Sequence, residues 1–212
     1  TSVSRDTAGG SAGTVLISVL RQITHSATID PNDSTKGFAL SVKKSGEDLR
    51  GQPLTFSGTG TGMTVSGGST RIFKSGRDFV KNQSKPFIKY ITSNKLFVAA
   101  LTGMDDPSGT FGDLETFLFD YDGSNYTEYT STFLSNPEGN ILYHYIDTVS
   151  AQADNTKFIV MMNANAGTRY AYGAIATIDT SANTVSYNTP VRIDGFTGSA
   201  NAFYISYATQ SD

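Results

Sequence analysis

Two stretches of the chain are alike and decide its fold: Asn94-Lys-Leu-Phe-Val-Ala-Ala-Leu101 and Asn155-Thr-Lys-Phe-Ile-Val160. Each is a short apolar run that follows small polar residues and contains β-branched or aromatic side chains. Runs of this length and composition are typical of buried strands rather than helices. The two stretches therefore predict two copies of one strand-containing unit.

The likeness between the two stretches continues further along the chain. Phe97 aligns with Phe158 at a spacing of 61 residues. At a spacing of 59, Phe119 aligns with Ile178, Tyr126 with Val185 and Tyr145 with Tyr204. A repeat of about 60 residues that holds four strands predicts a unit like a propeller blade or half of a sandwich. Two such units do not close a propeller ring, so the array is expected to continue in a longer chain or to be completed by other copies.

The composition of the whole chain agrees with an all-β fold. Of the 212 residues, 38% are hydrophobic, 11% aromatic and only 17% charged, and glycine and small polar residues separate the apolar runs. Turn signals such as Asp122-Gly123 join the runs without intervening helices, which predicts antiparallel meander sheets. The predicted strands of the second half are 87–91, 96–101, 114–120, 126–134, 141–149, 158–162, 172–178, 184–193 and 202–207.

These signals divide the chain into four parts. Residues 1–13 are small, polar and rich in glycine, and are expected to form a flexible arm. Residues 14–80 form a separate β-rich N-terminal region, to which we assign attachment or assembly. Residues 85–153 are the first β repeat unit, and residues 154–212 are the second, which ends where a third copy of the strand would begin.

Charge is distributed unevenly along the chain. Residues 1–96 carry 13 Lys and Arg against 6 Asp and Glu, a net +7, whereas residues 97–212 carry 3 against 13, a net −10. The split is either incidental or serves docking between subunits. In the second case the assembly contacts are basic residues just before the repeats: Arg71, Lys74, Arg77, Lys81, Lys85 and Lys89. These residues form no dense basic run, so nucleic acid is not an expected partner.

Several segments of the second half resemble repeats in tail fibre and receptor-binding proteins of tailed bacteriophages. They are residues 155–160, Tyr172-Gly-Ala-Ile-Ala176, Asn183-Thr-Val-Ser-Tyr-Asn-Thr-Pro-Val191 and Ala202-Phe-Tyr-Ile-Ser-Tyr207. The resemblance covers residues 94–212. It implies a virion structural protein of fibre, spike or decoration type that acts by assembly and host-surface binding, with other virion proteins, further copies of itself and a host glycan as partners. It implies no catalysis and no cofactor.

The alternative is a secreted β-protein that binds or cleaves carbohydrate. Exposed tyrosines can stack on sugar rings, and the candidates are Tyr121, Tyr126, Tyr129, Tyr143 and Tyr145. Catalysis by a carboxylate pair would draw on the acidic residues between 105 and 147. The sequence does not place any two of them face to face, so an enzyme is not expected.

A candidate metal site lies at Asp120, Asp122 and Asn125. Alternating oxygen ligands and a sharp turn at Gly123 are typical of the start of a Ca²⁺ loop. Ser131 stands where the bidentate glutamate of such a loop would lie. The competing interpretation is a hairpin turn, since Asp-Gly between two apolar runs is a strong hairpin signal.

Overall fold

The computed structural model describes residues 22–43, 48–59, 62–74, 86–103, 111–137, 141–148, 156–164 and 170–193. These residues form fifteen strands and no α-helix, which confirms the all-β prediction. The strands are β1 (Gln22–Asp30), β2 (Asp33–Lys43), β3 (Leu49–Ser57), β4 (Thr64–Gly67), β5 (Arg71–Lys74), β6 (Phe87–Tyr90), β7 (Lys95–Gly103), β8 (Phe111–Tyr121), β9 (Tyr126–Glu128), β10 (Thr132–Leu134), β11 (Ile141–Thr148), β12 (Lys157–Ala164), β13 (Ala171–Asp179), β14 (Thr184–Tyr187) and β15 (Val191–Ile193).

The strands form three five-stranded antiparallel sheets of one topology. In each, three consecutive strands form a meander and two short strands pair with opposite ends of the third. Sheet 1 consists of β1–β5, sheet 2 of β6–β10 and sheet 3 of β11–β15. The two short strands together take the position of a fourth strand of the meander, which is interrupted between them. The structure therefore contains three copies of this arrangement.

Sheet 2 lies in the middle and is buried on both faces. Every residue from Lys95 to Leu101 in β7 is buried, and Leu114 to Phe119 in β8 are buried as well. Leu96, Val98 and Ala100 belong to the cluster shared with sheet 1, while Phe97, Ala99 and Leu101 belong to the cluster shared with sheet 3. A continuous apolar run is what a strand covered on both sides requires.

Aromatic rings fill the interface between sheets 1 and 2. Phe38 and Phe73 of sheet 1 pack against Phe119 of sheet 2 with ring centroids 5.2 and 4.6 Å away. Gly51 lies under the first two rings, and a Cβ there would overlap both. The glycine thus allows the rings to pack directly on the backbone of β3.

One pair of the repeat alignment derived from the sequence, Phe97 and Phe158, is wrong in its register, whereas Phe119 and Ile178 both face the preceding sheet. Phe97 and Phe158 stack on each other across the interface of sheets 2 and 3, with ring centroids 4.9 Å apart. Each therefore faces the other's sheet, so they occupy opposite faces of their own sheets and are not equivalent positions. A shift of one residue accounts for the difference, because it reverses the face to which every side chain points.

The boundaries of the units also differ from those predicted. The strand Ile141–Thr148 pairs with β12 and opens sheet 3, whereas the sequence placed it in the first repeat unit, residues 85–153. The β-rich character predicted for residues 14–80 is confirmed for residues 22–43, 48–59 and 62–74. That region forms a sheet with the same strand order as the other two instead of a separate kind of domain. The predicted arm at 1–13 and the strand at 202–207 lie outside the described residues.

Candidate ligand-binding cleft

A cleft of about 400 Å³ opens between sheets 1 and 2 at the end where β2 begins and β8 ends. Its lining residues come from the strands of sheet 1, from the turn that joins β6 to β7 and from the turn that joins β8 to β9. They are Lys36, Gly37, Pro53, Leu54, Thr55, Gly68, Tyr90, Ser93, Asn94, Tyr121, Asp122 and Gly123. The lining combines aromatic and aliphatic surface with ammonium, carboxylate, amide and hydroxyl groups, a mixture typical of small-molecule sites.

Two tyrosines give the cleft its aromatic surface. Tyr90 is buried, and burial, followed by the charge of Asp30, raises the pKa of its phenol. Tyr121 is half-buried, stacks on Tyr126 with ring centroids 4.6 Å apart and donates a hydrogen bond from its hydroxyl to the carbonyl of Gly123 at 2.7 Å. The ring of Tyr121 is thus held in place from one side and from its tip.

The turn beside Tyr121 is closed by its own aspartate. The Asp122 carboxylate accepts hydrogen bonds from the backbone N–H groups of Ser124 and Asn125 at 2.8 and 2.7 Å, and one from the side-chain amide of Asn125 at 3.1 Å. These donors lower the pKa of Asp122, the Asn125 N–H most of all. Gly123 has φ +102°, a conformation that favours glycine. The turn therefore presents a fixed negative charge at the mouth of the cleft.

The opposite rim carries an ion pair. The Lys36 ammonium lies 2.9 Å from the Asp33 carboxylate. Hydrogen bonds from the Thr35 hydroxyl and, to a smaller extent, from Lys36 lower the pKa of Asp33 to about 2. The ion pair with Asp33 in turn raises the pKa of Lys36. Lys36 therefore remains protonated over the whole physiological range, and its ammonium is balanced by the ionised Asp33.

The hairpin interpretation of residues 120–125 is confirmed, while the Ca²⁺ site at Asp120, Asp122 and Asn125 stays a prediction, with both carboxylates hydrogen-bonded to groups of the protein. Tyr121 pairs with Tyr126 across the turn. The Asp120 carboxylate accepts hydrogen bonds from the Lys95 ammonium at 2.7 Å and from the Tyr129 hydroxyl at 2.6 Å, while Asp122 is used by the turn. Within the described ranges no three His, Asp or Glu side chains are placed to share a metal ion.

Asp120 instead belongs to a polar group that joins sheets 2 and 3. Lys95, which is largely buried, also donates to the side-chain oxygen of Asn183 at 2.5 Å and lies 4.5 Å from the ring centroid of Tyr129. Asn183 lies in the turn between β13 and β14 with φ 57°. The Lys95 ammonium thus bonds to the ends of both sheets.

The predicted assembly contacts are only partly described. Arg71 lies 4.8 Å from the ring centroid of Tyr126 and 3.9 Å from the Glu128 carboxylate, so it bridges sheets 1 and 2 inside one chain. Lys89 lies in β6 and is half-buried, and Lys74 lies in β5. Arg77, Lys81 and Lys85 lie outside the described residues. Arg71 therefore joins two sheets of its own chain, and its role between subunits stays a prediction.

Comparison with models of protein families, with curated protein sequences and with solved structures found no match to this chain. No helix among the described residues is long and apolar enough to cross a membrane. The resemblance to phage tail proteins and the geometry of the cleft are therefore the grounds on which a function can be proposed.

The sequence singled out Tyr121 for stacking and Asp122 for a metal site but missed the other cleft side chains. Lys36 lies more than 50 residues from Tyr90 and Asn94 in sequence and meets them only because sheets 1 and 2 pack face to face. Of the other candidates, Tyr126 and Tyr129 pack against the protein itself. The side chains of Tyr143 and Tyr145 lie outside the described part. The one sequence signal for the cleft was a polar residue next to the end of each strand, and such residues are common in turns of any function.

Proposed function

We propose that the chain is a structural component of a virus particle, of fibre, spike or decoration type, and that the cleft between sheets 1 and 2 binds a glycan of the host surface. The observation that carries the proposal is the composition of the cleft. Tyr121 supplies an aromatic ring held by Tyr126 and Gly123, and polar groups stand around it. Such a site suits a sugar, which offers an apolar ring face and many hydroxyl groups.

The polar groups around Tyr121 match the hydrogen-bonding needs of a sugar. Asn94 and Ser93 can each donate and accept, Lys36 donates and Asp122 accepts. All four are exposed in the cleft, where Lys36 also pairs with Asp33 and Ser93 accepts a hydrogen bond from Asn32. The resemblance of residues 94–212 to phage tail proteins supports the proposal that such a site belongs to an attachment protein.

A secreted carbohydrate-binding protein is the second candidate, and the same cleft supports it. Cleavage is less well supported than binding. Among the described residues that line the cleft, Asp122 alone carries a carboxylate, and both of its oxygens accept hydrogen bonds within the turn. Hydrolysis by the common glycosidase mechanisms uses two carboxyl groups on either side of the scissile bond.

An array of bacterial surface polysaccharides probed with the purified chain tests the cleft. We expect binding to at least one glycan, loss of binding in Tyr121→Ala, and retention in Tyr121→Phe, which keeps the ring. Tyr170→Ala is the matched control, because Tyr170 lies beside β13 under Arg192 and away from the cleft. If Tyr121→Ala binds as well as the native chain, the cleft is not the glycan site.

The biological context requires a separate measurement. Mass analysis of the native particle or secretion that contains the chain should find it assembled in fixed stoichiometry on a virion. Recovery of the chain as a soluble monomer that hydrolyses a polysaccharide would contradict the virion proposal.

A further inference from the structure

Negative charges outnumber positive ones around the cleft. Among the described residues that line it, Lys36 alone is basic, and its ammonium is already paired with Asp33 at 2.9 Å. Asp122 lines the cleft as a carboxylate. A third carboxylate, Asp30, lies close enough to Lys36 and Tyr90 for its charge to raise the pKa of each. These groups place one positive charge against three negative ones around the cleft.

Asp30 is a buried source of this negative charge. It ends β1 and is only 2% exposed. Its Oδ1 accepts a hydrogen bond from the backbone N–H of Asn32 at 2.8 Å, whereas its Oδ2 has no hydrogen-bond partner among the described residues. The Asn32 side chain donates to Ser93 of the cleft at 3.1 Å, so this turn contacts the lining of the cleft. Because Asp30 is shielded from water, its field is screened less than that of an exposed carboxylate.

The two tyrosines of the cleft respond to the same field. Burial raises the pKa of Tyr90 most, and the charges of Asp30 and Asp33 raise it further. Burial also raises the pKa of Tyr121, and the charge of Asp122 adds to the increase. At both rings the nearby aspartates thus oppose a further negative charge. A field of this sign favours a cation in the cleft.

Asp122 also has an acceptor position left for a ligand. Its Oδ1 accepts two hydrogen bonds from backbone N–H groups, and its Oδ2 accepts one, from the side-chain amide of Asn125. A carboxylate has about four acceptor positions, so Oδ2 can accept one more hydrogen bond. Asp122 is exposed and lines the cleft together with Tyr121. The cleft therefore offers an aromatic ring and a charged acceptor to the same ligand.

We propose that the cleft selects sugars that carry an ammonium group, with Asp122 binding this group and Tyr121 holding the sugar ring. The inference rests on the proposed glycan binding and names the class of ligand. An ammonium group can donate to Asp122 Oδ2 and is attracted to the face of an aromatic ring. The carboxylate of an acidic sugar is repelled by the three aspartates. Lys36 compensates little for this repulsion, because Asp33 already neutralises its ammonium.

Trimers of glucosamine, N-acetylglucosamine and galacturonic acid test the proposal, because they are positive, neutral and negative at equal length. Isothermal titration calorimetry of the full chain measures each Kd in mildly acidic buffer, where the amine is protonated and the lowered pKa of Asp122 keeps its carboxylate ionised. We expect the glucosamine trimer to bind about fivefold more tightly than the N-acetylated trimer, as for an exposed ion pair. The galacturonic acid trimer should bind most weakly, and added salt should reduce these differences.

Asp122→Asn tests the role of the carboxylate, because it removes the charge and keeps an oxygen that can close the turn. The preference for the glucosamine trimer over the N-acetylated trimer should decrease to about twofold or less. Asp179→Asn is the matched control. Asp179 closes the turn between β13 and β14 by accepting the N–H groups of Ser181 and Ala182 at 2.8 Å each, and it does not line the cleft. The preference should be unchanged in this control, and thermal unfolding verifies that both variants fold.

The outcomes separate this inference from the proposed function. Equal affinity for the three trimers, tightest binding of galacturonic acid, or an unchanged preference in Asp122→Asn would each overturn the selection for an ammonium group. Absence of binding to the glucosamine trimer would overturn it as well. The proposed glycan binding fails on a different result, namely that no glycan of the polysaccharide array binds through Tyr121.

Discussion

Tyr126 brings a hydroxyl into the aromatic interface between sheets 1 and 2. Its ring stacks on Tyr121 and meets the edge of Phe38, with centroids 6.2 Å apart. The hydroxyl has no hydrogen-bond partner among the described residues. Burial is the main cause that raises the pKa of Tyr126 to about 12, and the charge of the neighbouring Tyr121 adds to the increase. Arg71 acts in the opposite direction and lowers the pKa. The interface therefore stabilises the neutral phenol.

The raised pKa of Tyr126 predicts a loss of stability in alkali. An unfolded tyrosine ionises near pH 10, so between about pH 10 and pH 12 the unfolded chain binds fewer protons than the folded one. The contribution is complete below pH 10, and stability decreases as the pH rises through this window. Denaturant unfolding at a series of pH values should show a smaller alkaline decrease in Tyr126→Phe than in the native chain.

Tyr126→Phe also tests the buried hydroxyl at neutral pH. Removing a buried group without a partner should leave the free energy of unfolding unchanged or raise it by up to about 1 kcal/mol. A loss of more than about 1 kcal/mol at neutral pH would show that the hydroxyl is hydrogen-bonded in solution. An alkaline decrease identical to that of the native chain would show that Tyr126 does not carry the pH effect.

At the scale of elements, the ends of sheets 2 and 3 are joined by Lys95. Its ammonium bonds to Asp120 on its own sheet and to Asn183 in the turn of the next sheet. Hydrogen bonds to a charged group contribute about 1.5–3 kcal/mol when buried. Asp120 is about one-third exposed, so water weakens the ion pair and the bond to Asn183 is the more informative one to test.

A double-mutant cycle measures the bond between Lys95 and Asn183. Glycine tolerates the positive φ of Asn183, so Asn183→Gly removes the side-chain oxygen with little backbone strain. We expect Asn183→Gly and Lys95→Met to destabilise the chain by about 1–2 kcal/mol each, with a coupling energy of at least about 0.5 kcal/mol. Ser181→Ala, in the same turn but with an exposed side chain, should be neutral. Additive effects of the two substitutions would mean that the bond does not stabilise the joint.

The strands were predictable from the sequence because apolar runs and turn residues are local signals. The hairpin at Asp122-Gly123 is an example: the turn residues alone fix it, and the structure confirms it. The register of the repeat was not predictable. Residues 95–101 are buried without interruption, so no alternation shows which face each side chain occupies. The likeness of Lys95-Leu96-Phe97 to Thr156-Lys157-Phe158 therefore suggested an alignment that places Phe97 and Phe158 on the same face, although they face each other.

The cleft could not be predicted from the sequence for a related reason. Lys36 and Tyr121 are brought together by sheet packing, and no spacing in the sequence encodes that contact. Sheet 1 was also missed as a copy of the other two. Its strands are interrupted by glycines such as Gly51, whose role becomes visible only when Phe38 and Phe73 are seen to cover it.

At the scale of the whole molecule, the three sheets differ in how much of their surface is covered. Sheet 2 is packed on both faces, whereas sheets 1 and 3 share one face each with it. Regions with more buried apolar contact open less often, and their amide protons exchange more slowly. In the monomer, amide exchange should therefore be slowest in β7 and β8, and faster in β1 and β14, which lie at sheet edges.

The order of exchange among the sheets should not depend on protein concentration, because the contacts that bury β7 and β8 lie within one copy. Hydrogen exchange followed by mass spectrometry at two concentrations measures this order and checks that it belongs to the single chain. Slowest exchange in sheet 1 or sheet 3 at low concentration would contradict the central role of sheet 2, because a sheet covered on one side would then open less readily than one covered on both.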